Sequence, residues 1–194
     1  MIDVDSIPLL NSCLSTLKEV SKDDSNDEFM TNSLVQVVNF DSAKSRYVEN
    51  LETKLNDTPA SVDALHCDPS GISTFIEFKN GNLDGARYRE IHRKVRDSLL
   101  LLGDIAKLHI GDTRTNMDFI LVYNEQKNPV SIDEENSATR VQESSSRVKI
   151  AKHFARKGKS EHIRFGLQTF KGYCFRRVHT YTVQEFEETF LSQA

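Results

Sequence analysis

The chain has 194 residues, enough for one domain of ordinary size with its own core. It is 38% hydrophobic and 28% charged, with a mean hydropathy of −0.49, and its longest aliphatic run, Leu99–Leu102, is far short of the roughly 20 residues of a membrane helix. The net charge of −4 rules out a polycation, yet between Thr139 and Tyr181 11 Lys/Arg face only Glu143 and Glu161, so that segment is +9 and the rest −13, a pattern compatible with a polyanionic partner.

Ile7, Leu10, Leu14 and Leu17 recur at three- and four-residue spacing and predict an N-terminal helix. Ser21–Glu28 has no apolar residue and reads as a loop, and Phe29–Phe40 is ambiguous between helix and strand. The segment 1–40 is therefore expected to be a helical appendage to a domain spanning 41–194, the whole forming one compact unit. Lys44–Asn56 reads as a helix with Tyr47, Val48, Leu51 and Leu55 on one stripe, stopped by Asp57-Thr58-Pro59.

Val62–Asp68 and Ile72–Lys79 flank Pro69-Ser70-Gly71 and predict a hairpin. With Gly71 left-handed, Asp68 pairs with Ile72. Leu65 then faces Phe75, Ala64 faces Ile76, and Asp63 faces Glu77. A long helix over Gly85–His109 follows, carrying Ile91, Val95, Leu99, Leu102 and Ile105 inward and Arg87, Arg89, Arg93 and Arg96 in its first half. Met117–Tyr123 is a continuous apolar run, as in a central strand covered on both faces. Asn124–Asn136 reads as a loop, Arg140–Lys157 as a basic helix, and His162–Phe170 and Gly172–Tyr181 as strands. Thr182-Val183-Gln184-Glu185 is a capping box opening a terminal helix over Val183–Ser192. The expected fold is α/β, a central mixed sheet flanked by helices.

Other features narrow the class. The start, MIDVDSIPLL, lacks a basic n-region, so no secretory signal is expected. Cys13, Cys67 and Cys174 are odd in number with no CxxC pair, which points away from a disulfide framework or a zinc site and toward a reducing, cytoplasmic setting. There is no nucleophile elbow, P-loop lysine motif or dinucleotide fingerprint. His66 and His92 read as ordinary polar residues, and Cys67 as a small buried hydrophobe.

Three residues carry the chemistry. Glu77 and Lys79 lie two apart on one strand and share a face. The hairpin register brings Asp63 to that face. Two carboxylates among Leu65, Phe75, Ile76 and Phe78 repel each other and lose solvation, and a divalent cation resolves that conflict. Hard oxygen ligands suit Mg²⁺ or Mn²⁺.

Asp63, thirteen intervening residues, then Glu77-Phe78-Lys79 on the next strand, followed by the helix from Gly85, resemble the PD-(D/E)XK nuclease superfamily over about Lys44 to Tyr123. Val62 stands where that family commonly has proline. The resemblance implies a restriction-endonuclease-like core and Mg²⁺- or Mn²⁺-dependent hydrolysis of DNA or RNA. It implies that Asp63, Glu77 and the Phe78 main-chain carbonyl hold metal and that Lys79 assists catalysis. It adds a glutamate from the preceding helix, Glu52 or Glu49, with Glu52 preferred. Arg89, Arg93, Arg96, Lys152 and Arg156 are the candidate contacts to nucleic acid, probed against the plainer reading of solvated helix faces. The partner expected is nucleic acid, DNA first, with a homodimer possible and no membrane. The competing expectations are a nuclease-fold protein that binds nucleic acid or a protein without cutting, since fold does not fix function, and a small α/β domain whose charges serve a protein interface.

Overall fold

A computed structural model describes residues 2–129 and 163–192. The expected basic helix over 140–157, with Lys152 and Arg156, lies outside the described residues, as does the loop from residue 130 onward.

The architecture is α/β. Six strands form one mixed sheet in the order β1 (Leu14–Thr16), β4 (Gln36–Asn39), β5 (Ala64–Cys67), β6 (Ser73–Lys79), β7 (Met117–Tyr123) and β8 (Arg177–Thr182), flanked by helices. The N-terminal periodicity does not make one helix. Helix α1 (Pro8–Asn11) gives way to strand β1 (Leu14–Thr16), then to helix α2 (Leu17–Val20), whose N-terminus is capped by Thr16 accepting from Glu19 N. The physical reason is that Leu10 and Leu17 do not share a face: both are fully buried, but in separate cores on the two sides of the sheet. β2 (Lys22–Asp23) and β3 (Glu28–Phe29) form a small antiparallel hairpin, and β4 (Gln36–Asn39) resolves the ambiguous stretch as a strand. Two strands of the first 40 residues thus belong to the main sheet: β1 pairs with β4, and β4 with the next strand.

Helix α3 (Phe40–Glu49) starts and ends earlier than expected. The Asn39 side chain caps it by accepting from Ser42 N at 2.9 Å. It stops at Asn50 because its stripe runs out of core: Leu55 is exposed.

The hairpin forms in the expected register. β5 (Ala64–Cys67) pairs antiparallel with β6 (Ser73–Lys79), with Ala64 opposite Ile76 and Leu65 opposite Phe75. Asp68 N donates to Ile72 O at 2.9 Å, and Gly71 closes the loop at φ 92°. That backbone conformation carries no steric cost for glycine.

Helix α4 (Gly85–Ala106) is capped by Asp84, which accepts from Ala86 N and Arg87 N. It ends three residues before the expected point, with Lys107 left-handed at φ 55° and Leu108 N donating to Gly103 O. A further helix, α5 (Ile110–Asn116), follows without any sequence signal read for it. It leads into β7 (Met117–Tyr123), buried throughout and parallel to β6, with Glu77 opposite Leu121.

The expected strand at His162–Phe170 is not a strand over its described part. Phe165 and Gly166 take positive φ, and Leu167–Phe170 forms a 3₁₀ turn whose Leu167 and Phe170 enter the core. Gly172, also at positive φ, delays the last strand to β8 (Arg177–Thr182), parallel to β7. The capping box forms as expected: Glu185 N donates to Thr182 Oγ1 at 3.2 Å and Thr182 N to Glu185 Oε2 at 2.9 Å. It opens α6 (Val183–Phe186), which widens into a π-type turn over Glu187–Leu191.

Alternation along β6 divides its side chains between the two cores. Phe75 joins the core under α3 and α4, while Ile76 and Phe78 join the one beneath α6. Glu77 therefore lies on the α4 side, at the end of a layer made of Phe40, Phe75 and Phe119.

Candidate functional site

Asp63 immediately precedes β5, at the end of the ladder that runs from Cys67 opposite Ser73 to Ala64 opposite Ile76. Its Oδ2 accepts from Phe78 N at 2.6 Å. One carboxylate oxygen is thereby fixed to the backbone of the neighbouring strand, directly beside Glu77. Lys79, one alternation further on, places Nζ 3.1 Å from Glu77 Oε1 and 3.3 Å from Glu90 Oε1. The three residues singled out from the sequence are brought together.

A fourth residue joins them. Lys94, on α4, places Nζ 2.7 Å from Glu77 Oε1 and 3.1 Å from Asp63 Oδ1. It bridges the two acids. The Glu77 side chain has 0% exposure, and those of Asp63 and Lys94 have 16% each. Glu77 Oε2 has no hydrogen-bond partner among the described residues. Such a buried, unpaired carboxylate oxygen is costly to keep.

The electrostatics follow from this packing. Burial, and then the neighbouring Asp63 carboxylate, push Glu77 up to about 7, against the opposing pull of Lys94 and Lys79. Burial also raises Asp63, with Lys94 pulling the other way. Burial acts to lower the Lys94 ammonium, but Glu77 and Asp63 outweigh it and hold Lys94 well above the usual lysine range. Lys79 follows the same pattern, held up chiefly by Glu77.

Asp63 and Lys79 open onto a cleft of about 570 Å³, walled on the far side by residues 22–26 of the β2–β3 hairpin. Asn80 ties that wall to the end of β6 by donating to Asp23 Oδ2 at 2.9 Å and Glu28 Oε2 at 3.1 Å. Glu77 sits behind Asp63 and does not line the cleft. Among the lining residues the acids are Glu19, Asp23, Asp24, Asp41, Asp63 and Glu90, against Lys22, Lys79 and Arg87. A phosphate entering this acidic cleft requires a cation to meet it.

The other sequence candidates are placed as follows. Glu52 lies exposed in the irregular segment after α3, and Glu49 lies exposed in the last turn of that helix; neither lines the cleft. The helix supplies Asp41 instead, from its first turn. Asp41 lines the cleft, and its Oδ1 accepts from Ser61 Oγ and from Lys44 Nζ. Arg93 pairs with Asp57 and Asp97 and donates to Thr58 O, so it ties the 51–60 segment to α4. Arg96 lies 5.9 Å over the Phe170 ring, and Arg89 is exposed on the surface of α4. Arg176 is held by Asp118 through two hydrogen bonds of 3.0 and 2.6 Å. His66 packs edge-on against Phe190, and burial pushes its pKa down.

The residues not singled out were Lys94, Asp41 and Glu90. Lys94 left a trace: it falls on the inward side of α4 with Ile91, Val95 and Ser98, all buried, where a lysine is out of place without an acid to meet it. Asp41 left none, because its nearness to Asp63 comes from sheet pairing between segments far apart in sequence.

The donor set suits a hard divalent cation. Two carboxylates, one with an unpartnered buried oxygen, belong with phosphate oxygens to the ligand class that Mg²⁺ uses. Among the described residues there is no cluster of three or more His, Cys, Asp or Glu side chains placed to hold a metal. No helix among them is long and apolar enough to cross a membrane. No family model matches the chain, and no curated protein or solved structure gives a significant match.

Proposed function

We propose that the chain is a metal-dependent nuclease of the PD-(D/E)XK kind, hydrolysing phosphodiester bonds of DNA or RNA. The observation that carries this reading is the meeting of Asp63, Glu77 and Lys79 at one end of the sheet, beside an open cleft. The mixed sheet with helices on its faces supports it. Asp63, Glu77 and the Phe78 carbonyl are the residues that would hold Mg²⁺ or Mn²⁺. Such an ion supplies polarisation of the phosphoryl oxygen and a bound water of lowered pKa. Asp63 is oriented for this by the Phe78 N–H. Glu77 is oriented by two ammonium groups on one oxygen. Lys79, at the cleft, offers a positive donor to the phosphate as charge builds on it. Arg87 lines the same cleft and is placed to meet the nucleic-acid backbone there, whereas Arg89 and Arg96 lie on the opposite side of α4. The reading places the protein in the cytoplasm, in keeping with the free thiols of Cys13, Cys67 and Cys174.

The test is hydrolysis of supercoiled plasmid, single-stranded DNA and RNA with Mg²⁺ or Mn²⁺. Cleavage lost in both Glu77→Gln and Lys79→Ala, with the fold intact by circular dichroism, is the expected result. Cleavage surviving in both overturns the assignment.

One observation favours a second reading. Lys94 already neutralises the acid pair. A chain so balanced could hold nucleic acid or a protein partner without cutting. That reading expects salt-dependent binding of nucleic acid and no hydrolysis with any divalent cation.

A further inference from the structure

We infer that Lys94 is the resident counterion of the acid pair, and that a divalent cation enters the site only by displacing its ammonium. This rests on the nuclease reading above and adds a regulation of the same site.

The geometry comes first. Lys94 Nζ lies 2.7 Å from Glu77 Oε1 and 3.1 Å from Asp63 Oδ1, so it fills the space between the two carboxylates. Charge comes next. Asp63 and Glu77 are balanced by Lys79 and Lys94 without any metal. Adding a divalent ion with both lysines in place sets four positive charges against the three carboxylates of Asp63, Glu77 and Glu90 and leaves a net positive cluster around a fully buried side chain, a costly arrangement.

One carboxylate oxygen is nevertheless left unpartnered: both lysines lie on Glu77 Oε1, and Oε2 has no partner among the described residues. Lys94 also has somewhere to go. Its stem is long and flexible, with three rotatable donors. Glu90 precedes it by one turn on α4, half exposed at the cleft, in the favourable acid-before-base spacing. An ammonium leaving the acid pair can rest there.

The consequence is coupling between metal and substrate. The metal-free site is electrically satisfied, so it takes up a cation weakly. A phosphodiester entering with the ion supplies negative charge that offsets the displaced lysine. Metal loading thus follows substrate.

The probe is Mn²⁺ alone, with free ion counted by electron paramagnetic resonance. The proteins are the unmodified chain, Lys94→Met, Lys94→Gln, Glu77→Gln and the Lys94→Met/Glu77→Gln double variant. Removing the competing charge is expected to tighten Mn²⁺ binding by roughly tenfold or more in both single Lys94 variants. The gain should vanish in the double variant. Equal or weaker binding in folded Lys94 variants, with binding still lost in Glu77→Gln, overturns the displacement and leaves the metal site standing. No Mn²⁺ bound by any protein overturns both.

A measurement on the unmodified chain stands apart from the folding of any variant. Saturating Mg²⁺ is expected to shift the nuclear magnetic resonance signal of the Lys94 ε-methylene group. A signal that stays in place while Mg²⁺ binds overturns the displacement.

Discussion

Lys94 Nζ lies 2.7 Å from Glu77 Oε1, joining a helix cation to a strand acid that has no exposed surface. Removing Lys94 takes the ion-pair partner from Asp63 and leaves the fully buried Glu77 with Lys79 alone. Lys94→Ala is therefore expected to destabilise the fold by about 3 kcal/mol. Replacing both partners with apolar groups of similar size, as in Lys94→Met/Glu77→Leu, is expected to recover most of that loss. Urea denaturation of Lys94→Met, Glu77→Leu and the double variant measures the coupling. Additive losses would mean that the pair does not hold these elements together.

Ser98 holds α4 against the strand entry. Ser98 is fully buried, and its Oγ accepts from Val62 N at 2.9 Å. This contact fixes the backbone next to Asp63. Ser98→Ala leaves a buried N–H without an acceptor and is expected to cost about 1–3 kcal/mol. Ser98→Thr keeps the hydroxyl, and its extra methyl group tests the space. A melting temperature unchanged in Ser98→Ala would remove this contact from the account.

The φ of 92° at Gly71 closes the loop between β5 and β6, and this loop sets the register that carries Asp63 to Glu77. An alanine there adopts a backbone conformation that L-residues avoid. Gly71→Ala is expected to cost about 1–2 kcal/mol in thermal or chemical unfolding. Because register rather than packing is at stake, the proposed nuclease activity is expected to fall with stability.

The cap of α4 is expected to make stability depend on pH. Asp84 caps α4 by accepting from Arg87 N and Ala86 N, and these hydrogen bonds hold its carboxyl below the ordinary value of 3.8. A folded-state value lowered in this way adds stability above pH 3.8. That stability is lost as the pH falls through the folded value, where the native carboxylate takes up its proton. Asp84→Asn keeps a capping side chain without the charge. The unmodified chain is expected to be the more stable at pH 6, and the gap should close on acidification below 3.8. A constant gap across that range would show that the charge plays no part in the cap.

The legible parts of the fold were those written locally. The hairpin register follows from one glycine and two apolar, β-branched flanks, and it fixes Asp63, Glu77 and Lys79 together. The Thr182–Glu185 capping box and the uniform apolar run Met117–Tyr123 are equally local signals. The misread parts depend on which core a side chain enters. Leu10 and Leu17 keep helical spacing, yet they bury on opposite sides of the sheet, with β1 between them. Leu55 keeps the stripe of α3 on paper, but no core receives it. The site was half legible for the same reason. Alternation along β6 gives Glu77 and Lys79. Lys94 shows in the sequence only as a lysine on the inward side of α4, and the approach of Asp41 depends on the pairing of β4 with β5, which spacing within α3 does not reveal.

The central claim is that Asp63, Glu77 and Lys79 form a metal-dependent phosphodiesterase site. The most direct test is the rate of DNA and RNA cleavage by the unmodified chain with Mn²⁺ and with the ion chelated, run beside Lys79→Ala and Asp63→Asn. The account predicts cleavage with Mn²⁺ that stops on chelation and falls by roughly a hundredfold or more in each variant. Cleavage that persists in both variants, or no cleavage of any substrate by the folded, unmodified protein, would contradict it.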